Sequence, residues 1–305
     1  MAKYIIKRIL TLIPIMLGII FVVFTIMELA PGDPGRIILG QFATEAEVQA
    51  LNAELGYNRP FLVRYLSYVF HFFQGDLGKS YLTNIPVIES ITTRFPVTLL
   101  LVTFSIILTI IISIPLGTIA AVKQYSFIDG FSIFLAIFLS SVPIFWLGLL
   151  FILFFALALG WFPVTGIESM KSYVLPTITT AAATTAVITR MTRTTMLTVL
   201  REDYIRTAKA KGANRNRIIK KHAIKNALIP VITVIGINFG SLLGGTVLVE
   251  TVFGMPGMGT LLVNAIRMKD VPVVLGCVTL LALSFSMVNL LVDISYGFMD
   301  PRVKG

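Results

Sequence analysis

VTLLLVTFSIILTIIISIPLGTIAAV, residues 97–122, contains no charged side chain. A membrane-spanning helix needs about 20 consecutive, mostly apolar residues, and this run exceeds that before Lys123 closes it. It is read as a transmembrane helix, and the composition agrees. Apolar residues make up 56% of the 305, charged residues 13%, and the mean hydropathy is +0.89. Soluble chains carry about 25% charged residues, and a soluble protein of this composition would leave large apolar areas in water.

Outward from residue 97, five further spans are expected. The first runs from Ile9 to Ala30 behind Lys3, Lys7 and Arg8, charges that predict a cytoplasmic N-terminus. It is too long for a signal-peptide core and ends in Ala30-Pro31-Gly32-Asp33-Pro34 rather than a small-x-small cleavage site, so it is read as retained. The third runs from Phe131 to Leu159 with a kink expected at Pro143, and Trp161 and Phe162 follow where an interfacial aromatic belt would lie. The fourth, Tyr173 to Thr189, is the least hydrophobic. Its threonines at 177, 179, 180, 184, 185 and 189 suit a helix facing protein or water more than lipid. The fifth is Ala227 to Val249 and the sixth Val271 to Val292. Gly236, Gly240 and Gly244 in the fifth share one helix face, which is read first as tight packing and is also compatible with a pore lining or subunit interface.

The fold expected is therefore an all-α membrane protein of six transmembrane helices with both termini cytoplasmic. Residues 1–30 form the N-terminus and first helix, 31–95 a small extracytoplasmic domain, and 96–305 the membrane core. Residues 31–95 carry nearly balanced charges, and Thr44 with Glu47 has the spacing of a capping box. The formal charge of +10 gathers at the N-terminus and between Arg190 and Lys225, which is first a topology signal. No nucleic-acid module is visible beside it, and nucleic acid is not an expected partner. Cys277 lies in an apolar run, where a thiolate is disfavoured. His71 and His222 have no second ligand at metal spacing.

The segment carrying chemistry is Arg201-Glu202-Asp203-Tyr204-Ile205-Arg206-Thr207-Ala208-Lys209-Ala210-Lys211-Gly212-Ala213. Glu202 and Asp203 suit the positive end of a helix, and Lys209 and Lys211 its negative end. Gly212 is a natural stop. Tyr204, Ala208 and Lys211 or Gly212 share a face that could lie in another protein's groove. Asn214 is placed to cap a second helix running through His222 into the fifth span.

This segment resembles the cytoplasmic EAA-type loop of permease subunits in ABC importers, most closely the B-type subunit of dipeptide and oligopeptide permeases, whose relatives handle glutathione or nickel chelates. The resemblance is carried by Glu202-Asp203-Tyr204, Arg206-Thr207-Ala208, Ala210-Lys211-Gly212, His222-Ala223, Asn226-Ala227 and Pro230. Further agreement comes from Leu29 to Pro34, Gly75-Asp76-Leu77-Gly78 with Ser80, and Val249-Glu250 with Val252-Phe253, Pro256-Gly257 and Gly259. Where the broader motif has proline thirteen residues after its glycine, this chain has Lys225, so the local helix is expected to be straighter.

The resemblance implies a non-catalytic permease of the type I importer fold with no cofactor of its own, ATP and Mg being bound by partner subunits. The implied partners are a second homologous permease, two ATPase subunits or domains, and an extracytoplasmic binding protein that delivers peptide, in the bacterial plasma membrane among its lipids. Within a loop spanning about residues 196–226, the residues implied to couple to the ATPase are Glu202, Asp203, Tyr204, Arg206, Thr207, Ala208, Lys209, Ala210 and Gly212. Glu250 is a candidate gate. Glu28, Glu250 and Asp293 lie near span ends, where pairing or access to water favours structural roles over the functional default; the same is expected of His222.

Two other classes fit less well. An ion-driven secondary transporter predicts inverted repeats and mid-membrane charges, whereas spans two, three and five carry none. A membrane-embedded protease needs a catalytic pair at bilayer depth, and none stands out. Gly78-Lys79-Ser80 imitates a phosphate loop, but residue 73, where the first glycine belongs, is phenylalanine.

Overall fold

The computed structural model describes residues 2–299, with side chains described from Leu10 to Val292 and at Ile294. The side chains of Lys3, Lys7, Arg8 and Asp293 lie outside those described. No strand occurs among the described residues, only an isolated bridge between Lys79 and Pro86.

The chain divides into two compact units, residues 1–98 with 256–287 and residues 99–255 with 288–305. The first unit opens with α1 (Ala2–Leu29). Three shorter helices follow, α2 (Pro34–Leu39), α3 (Glu45–Glu54) and α4 (Phe61–Phe73). Asp33 starts α2 by accepting from the Arg36 amide at 3.1 Å, ahead of Pro34, whose missing N–H costs nothing at a first helical position. Thr44 and Glu47 make the expected capping box at α3. α5 (Val87–Val122) begins here and continues into the second unit. It starts ten residues before the apolar run because Glu89 and Arg94 are ordinary helix formers.

Two adjacent charges tie this unit together. Asp270 accepts from the Ser80 hydroxyl at 2.5 Å and the Tyr81 amide at 3.0 Å. Lys269 donates to the carbonyls of Ala30, at 2.7 Å, and Gly32. Both are almost wholly buried, and each finds the partners a buried charge requires. The turn after α1 and the Gly75–Ser80 segment therefore meet the same dipeptide, just ahead of the helix Val271–Met299.

In the second unit the expected kink at Pro143 is a full break. Val142 is extended (ψ 127°), as a residue before proline tends to be. α6 (Phe127–Ser141) and α7 (Ile144–Ala158) meet at 100°, and α7 ends in a π-helical stretch over Ile152–Ala158. α8 (Val174–Val199) continues ten residues past the sequence-based boundary, because Arg190 and Arg193 are good helix formers and Arg193 is paired with Asp129. α6 and α7 pack against it, and so does the helix that follows the polar loop. The threonines at 177, 179, 180, 184, 185 and 189 are all buried, facing protein.

By length and composition four described helices suffice to cross a membrane: Leu10–Leu29, Val87–Val122, Arg215–Gly245 and Val271–Val292, with the bent α6–α7 pair a fifth. α8 is not among them, because its hydroxyls lower its apolarity.

Candidate functional site

The polar loop folds as α9 (Asp203–Ala210), joined through Lys211–Asn214 to α10 (Arg215–Gly245). Glu202 and Asp203 open α9 and Lys209 lies in its last turn, matching the macrodipole. Gly212 has φ +77°, a region where a Cβ is penalised. The Gly212 amide donates to the Lys209 carbonyl at 2.9 Å and the Ala213 amide to the Ala208 carbonyl at 3.1 Å, satisfying carbonyls the helix leaves free. The Asn214 side chain accepts from the Asn216 amide at 2.7 Å and starts α10 as expected. α10 then passes through a π-helical stretch, Ile218–Ala223.

Ile205 is the one fully buried side chain by which α9 is fastened to the rest of the unit. It clusters with Met196, Ile218, Ala223, Ala227 and Ala121, and Ala208 packs at the edge of this cluster. Reading one helix face through Tyr204 and Ala208 missed Ile205, although it is the one aliphatic side chain larger than alanine within α9. Tyr204 is exposed, and its hydroxyl accepts from Asn226 Nδ2 at 2.9 Å while the same nitrogen donates to the His222 carbonyl at 3.0 Å. His222 thus contributes backbone to this contact. Glu202, Asp203, Arg206, Thr207, Lys209, Ala210 and Gly212 are exposed. The Arg206–Asp203 pair, at 3.4 Å and solvent-facing, contributes little.

Two hollows flank α9. One of about 480 Å³ is lined by Arg193, Thr194, Leu197, Thr198, Arg201, Glu202 and Asp203. The other, about 450 Å³, is lined by Val122, Leu200, Lys209, Ala213, Arg215, Ile218 and Ile219. Between Asp203 and Glu250 the chain has eight Lys or Arg and no acid. The arrangement is a short, rigidly seated helix with a polar exposed face inside a basic region. It suits docking to another protein.

The floor of this region holds a pair that sequence reading did not identify. Arg193 Nε and Nη2 donate to the two carboxylate oxygens of Asp129 at 2.5 and 2.8 Å, and the Tyr125 amide donates to the same carboxylate at 2.9 Å. The Asp129 side chain is 4% exposed. Two isolated charges 64 residues apart gave no periodic signal. Arg215 Nη2 also donates to the Val122 carbonyl at 3.0 Å, fixing the start of α10 to the end of α5.

The remaining candidates lie elsewhere. Glu250 sits in α11 (Val247–Val252), fully buried, accepting from the Thr246 hydroxyl at 3.0 Å. Glu28 pairs with Arg64 at 2.6 Å. In the glycine-bearing α10, a Cβ on Gly236 would lie 1.9 Å from Val292, whereas Gly244 has open space around it. Close packing therefore accounts for Gly236 and not for Gly244.

The model of the binding-protein-dependent transport system inner membrane component matches residues 113–305. That of the N-terminal membrane component of such systems matches residues 1–102. The dipeptide transport system permease protein DppB of Alkalihalophilus pseudofirmus is 41% identical over the full length of both chains. The glutathione transport system permease protein GsiC of Salmonella typhimurium is 40% identical, covering 100% of this chain and 99% of its own. Among solved structures, an inward-facing form of the MetNI methionine ABC transporter superposes with a TM-score of 0.55 at 17% identity, covering 70% of this chain and 97% of that one. It shares the fold. Matched by family models at both ends and by relatives along its whole length, the chain belongs to the inner-membrane components of binding-protein-dependent transport systems, as a non-catalytic permease subunit of an ABC importer.

Proposed function

We infer that the chain forms half of the translocation pathway for di- or oligopeptides delivered by an extracytoplasmic binding protein. It pairs with a second homologous permease, and α9 docks on one of two ATPase subunits that carry the ATP and Mg. The observation behind this reading is the seating of α9. Ile205 holds it from beneath while Glu202, Asp203, Tyr204, Arg206, Thr207, Lys209, Ala210 and Gly212 remain exposed, and Ala208 braces its inner edge. A helix held this way transmits a push to α8 and α10 instead of absorbing it. Glutathione is the second substrate reading, supported by relatives as similar as the peptide permease.

The topology proposed has six crossings, with α8 added to the four apolar helices and the bent pair. Both termini and residues 196–226 lie in the cytoplasm, and residues 31–95 form the extracytoplasmic part. Its support is the gathering of basic residues between Arg190 and Lys225, the side on which Lys and Arg stay. Glu250 remains the candidate gate. Its burial beside Thr246 is suited to a group that changes partners when the helices move.

The test is substrate-stimulated ATP hydrolysis by the purified complex carrying Gly212→Asp. At φ +77° an aspartate is tolerated less well than glycine, so the end of α9 is disturbed without touching a span. Assembly with loss of stimulation supports the reading. Unchanged stimulation and uptake refute it.

A further inference from the structure

The geometry points to α4 as a helix embedded in one leaflet of the bilayer, with its exposed apolar stripe covered by lipid acyl chains. α4 has three faces. Phe61 and Tyr65 pack edge-on against Phe21 and Phe24 of α1, with ring centroids 5.4–6.1 Å apart. Arg64, Ser67 and His71 line a cavity of about 300 Å³ beside them, together with apolar groups such as Phe24 and Leu275. A third face carries Leu62, Leu66, Phe70 and Phe73, between 57% and 63% exposed. Their spacing of four, four and three residues makes one continuous stripe, and Val63 and Val69 on either side add no polar group.

Depth decides what covers this stripe. The Tyr65 hydroxyl donates to the carbonyl of Leu17 at 3.3 Å, and its ring touches Phe21. At about 1.5 Å per residue, Phe21 lies roughly 12 Å inside the end of α1 at Leu29. That falls within the half-thickness of a hydrocarbon core of about 30 Å, and the Leu17 carbonyl, about 18 Å in by the same measure, lies near the middle of the core. α1 itself exposes Phe21, Val22 and Ile26, so the helix against which α4 packs also presents apolar surface at this depth. Thirteen residues extend only about 20 Å, too short to cross. Arg64 reaches back along α4 to Glu28, keeping its charge at the level of the α1 terminus. On the topology proposed above, this is the outer leaflet, and the segment between the first two spans is partly a membrane element.

Spin labels at Leu66→Cys and Phe70→Cys, each read separately in transport-competent complex reconstituted in phosphatidylglycerol-containing vesicles with Cys277→Ala, test this. Glu54→Cys on exposed α3 serves as the aqueous reference and Val22→Cys as the lipid reference. Collisional relaxation by oxygen severalfold above that by a water-soluble nickel chelate, as at Val22, is expected. Chelate accessibility equal to that at Glu54 would place the stripe in water and overturn the proposal. Protection from both reagents would mean that a protein subunit covers it, and would overturn it equally.

Discussion

Replacing Ile205 by alanine separates the seating of α9 from the integrity of the membrane helices. Ile205 is wholly enclosed by Met196, Ile218, Ala223, Ala227 and Ala121. The substitution removes three carbons, worth about 0.8 kcal/mol each when buried, or about 2.4 kcal/mol in all. A residual cavity raises the cost, and buried Ile→Ala changes span about 2–5 kcal/mol. Eight residues of isolated helix are far too few to persist in water, so this loss falls on local docking. A shift of about 2.4 kcal/mol is roughly fifty-fold in the undocking equilibrium. Amide hydrogen exchange reads it directly: protection in residues 205–213 should fall by about that factor or more, while α8 and the apolar part of α10 keep theirs. Substrate-stimulated ATP hydrolysis should decline in parallel. Tyr204→Phe, which removes a single exposed hydrogen bond, serves as the mild comparison at about 0.5–1.5 kcal/mol. Protection unchanged in Ile205→Ala, or lost equally throughout α8, would refute the assignment of Ile205 as a local anchor.

Arg193→Ala leaves the Asp129 carboxylate buried without its main partner; a buried pair broken this way costs about 3–5 kcal/mol, reduced here because Arg193 is 20% exposed. A lower thermal midpoint in detergent is expected, with partial recovery in the double variant Asp129→Asn, Arg193→Ala. Asp270→Ala strands the Ser80 hydroxyl and Tyr81 amide, and limited proteolysis should cut between residues 75 and 86 faster than in the parent protein. The Glu47 carboxyl is held below its ordinary value of 4.5 by hydrogen bonds from the Thr44 backbone and then its side chain. Its contribution to α3 is therefore complete above that value and lost as pH falls through the depressed one. An NMR titration of the Thr44 amide should report a midpoint below 4.5, and a midpoint at or above it would contradict the capping box.

Much of this was readable in the sequence because the signals are local. The Thr44–Glu47 spacing, the Gly212 stop and the Asn214 cap each concern residues within four positions of one another, and each forms as read. What sequence reading missed depends on distance along the chain. Lys269 and Asp270 look like an ordinary polar pair between two helices, yet they reach segments 189 to 239 residues away. Nothing in the residues preceding Val271 announces that. The Asp129–Arg193 pair is hidden for the same reason. The break at Pro143 was placed correctly but understated, since proline marks where a helix yields and only its surroundings set the angle.

α4 and α8 show why apolarity alone misleads in opposite directions. α8 lies between α6, α7 and α10, so its threonine face meets protein. Thr179 bonds back to the Leu175 carbonyl at 2.8 Å and Thr185 to the Thr109 hydroxyl at 3.3 Å, while the buried hydroxyls of Thr177, Thr180, Thr189 and Thr192 have no hydrogen-bond partner among the described residues. A helix so enclosed needs no apolar exterior, and its hydropathy falls. α4 carries Arg64, Ser67 and His71 on one side, which makes its sequence read as part of an ordinary soluble segment, yet it leaves a stripe of leucine and phenylalanine uncovered on another. Hydropathy averaged along a helix reports the sum of its faces. Each face answers to a different neighbour, and only their separation by packing assigns one to protein, one to a cavity of mixed lining and one to the bilayer.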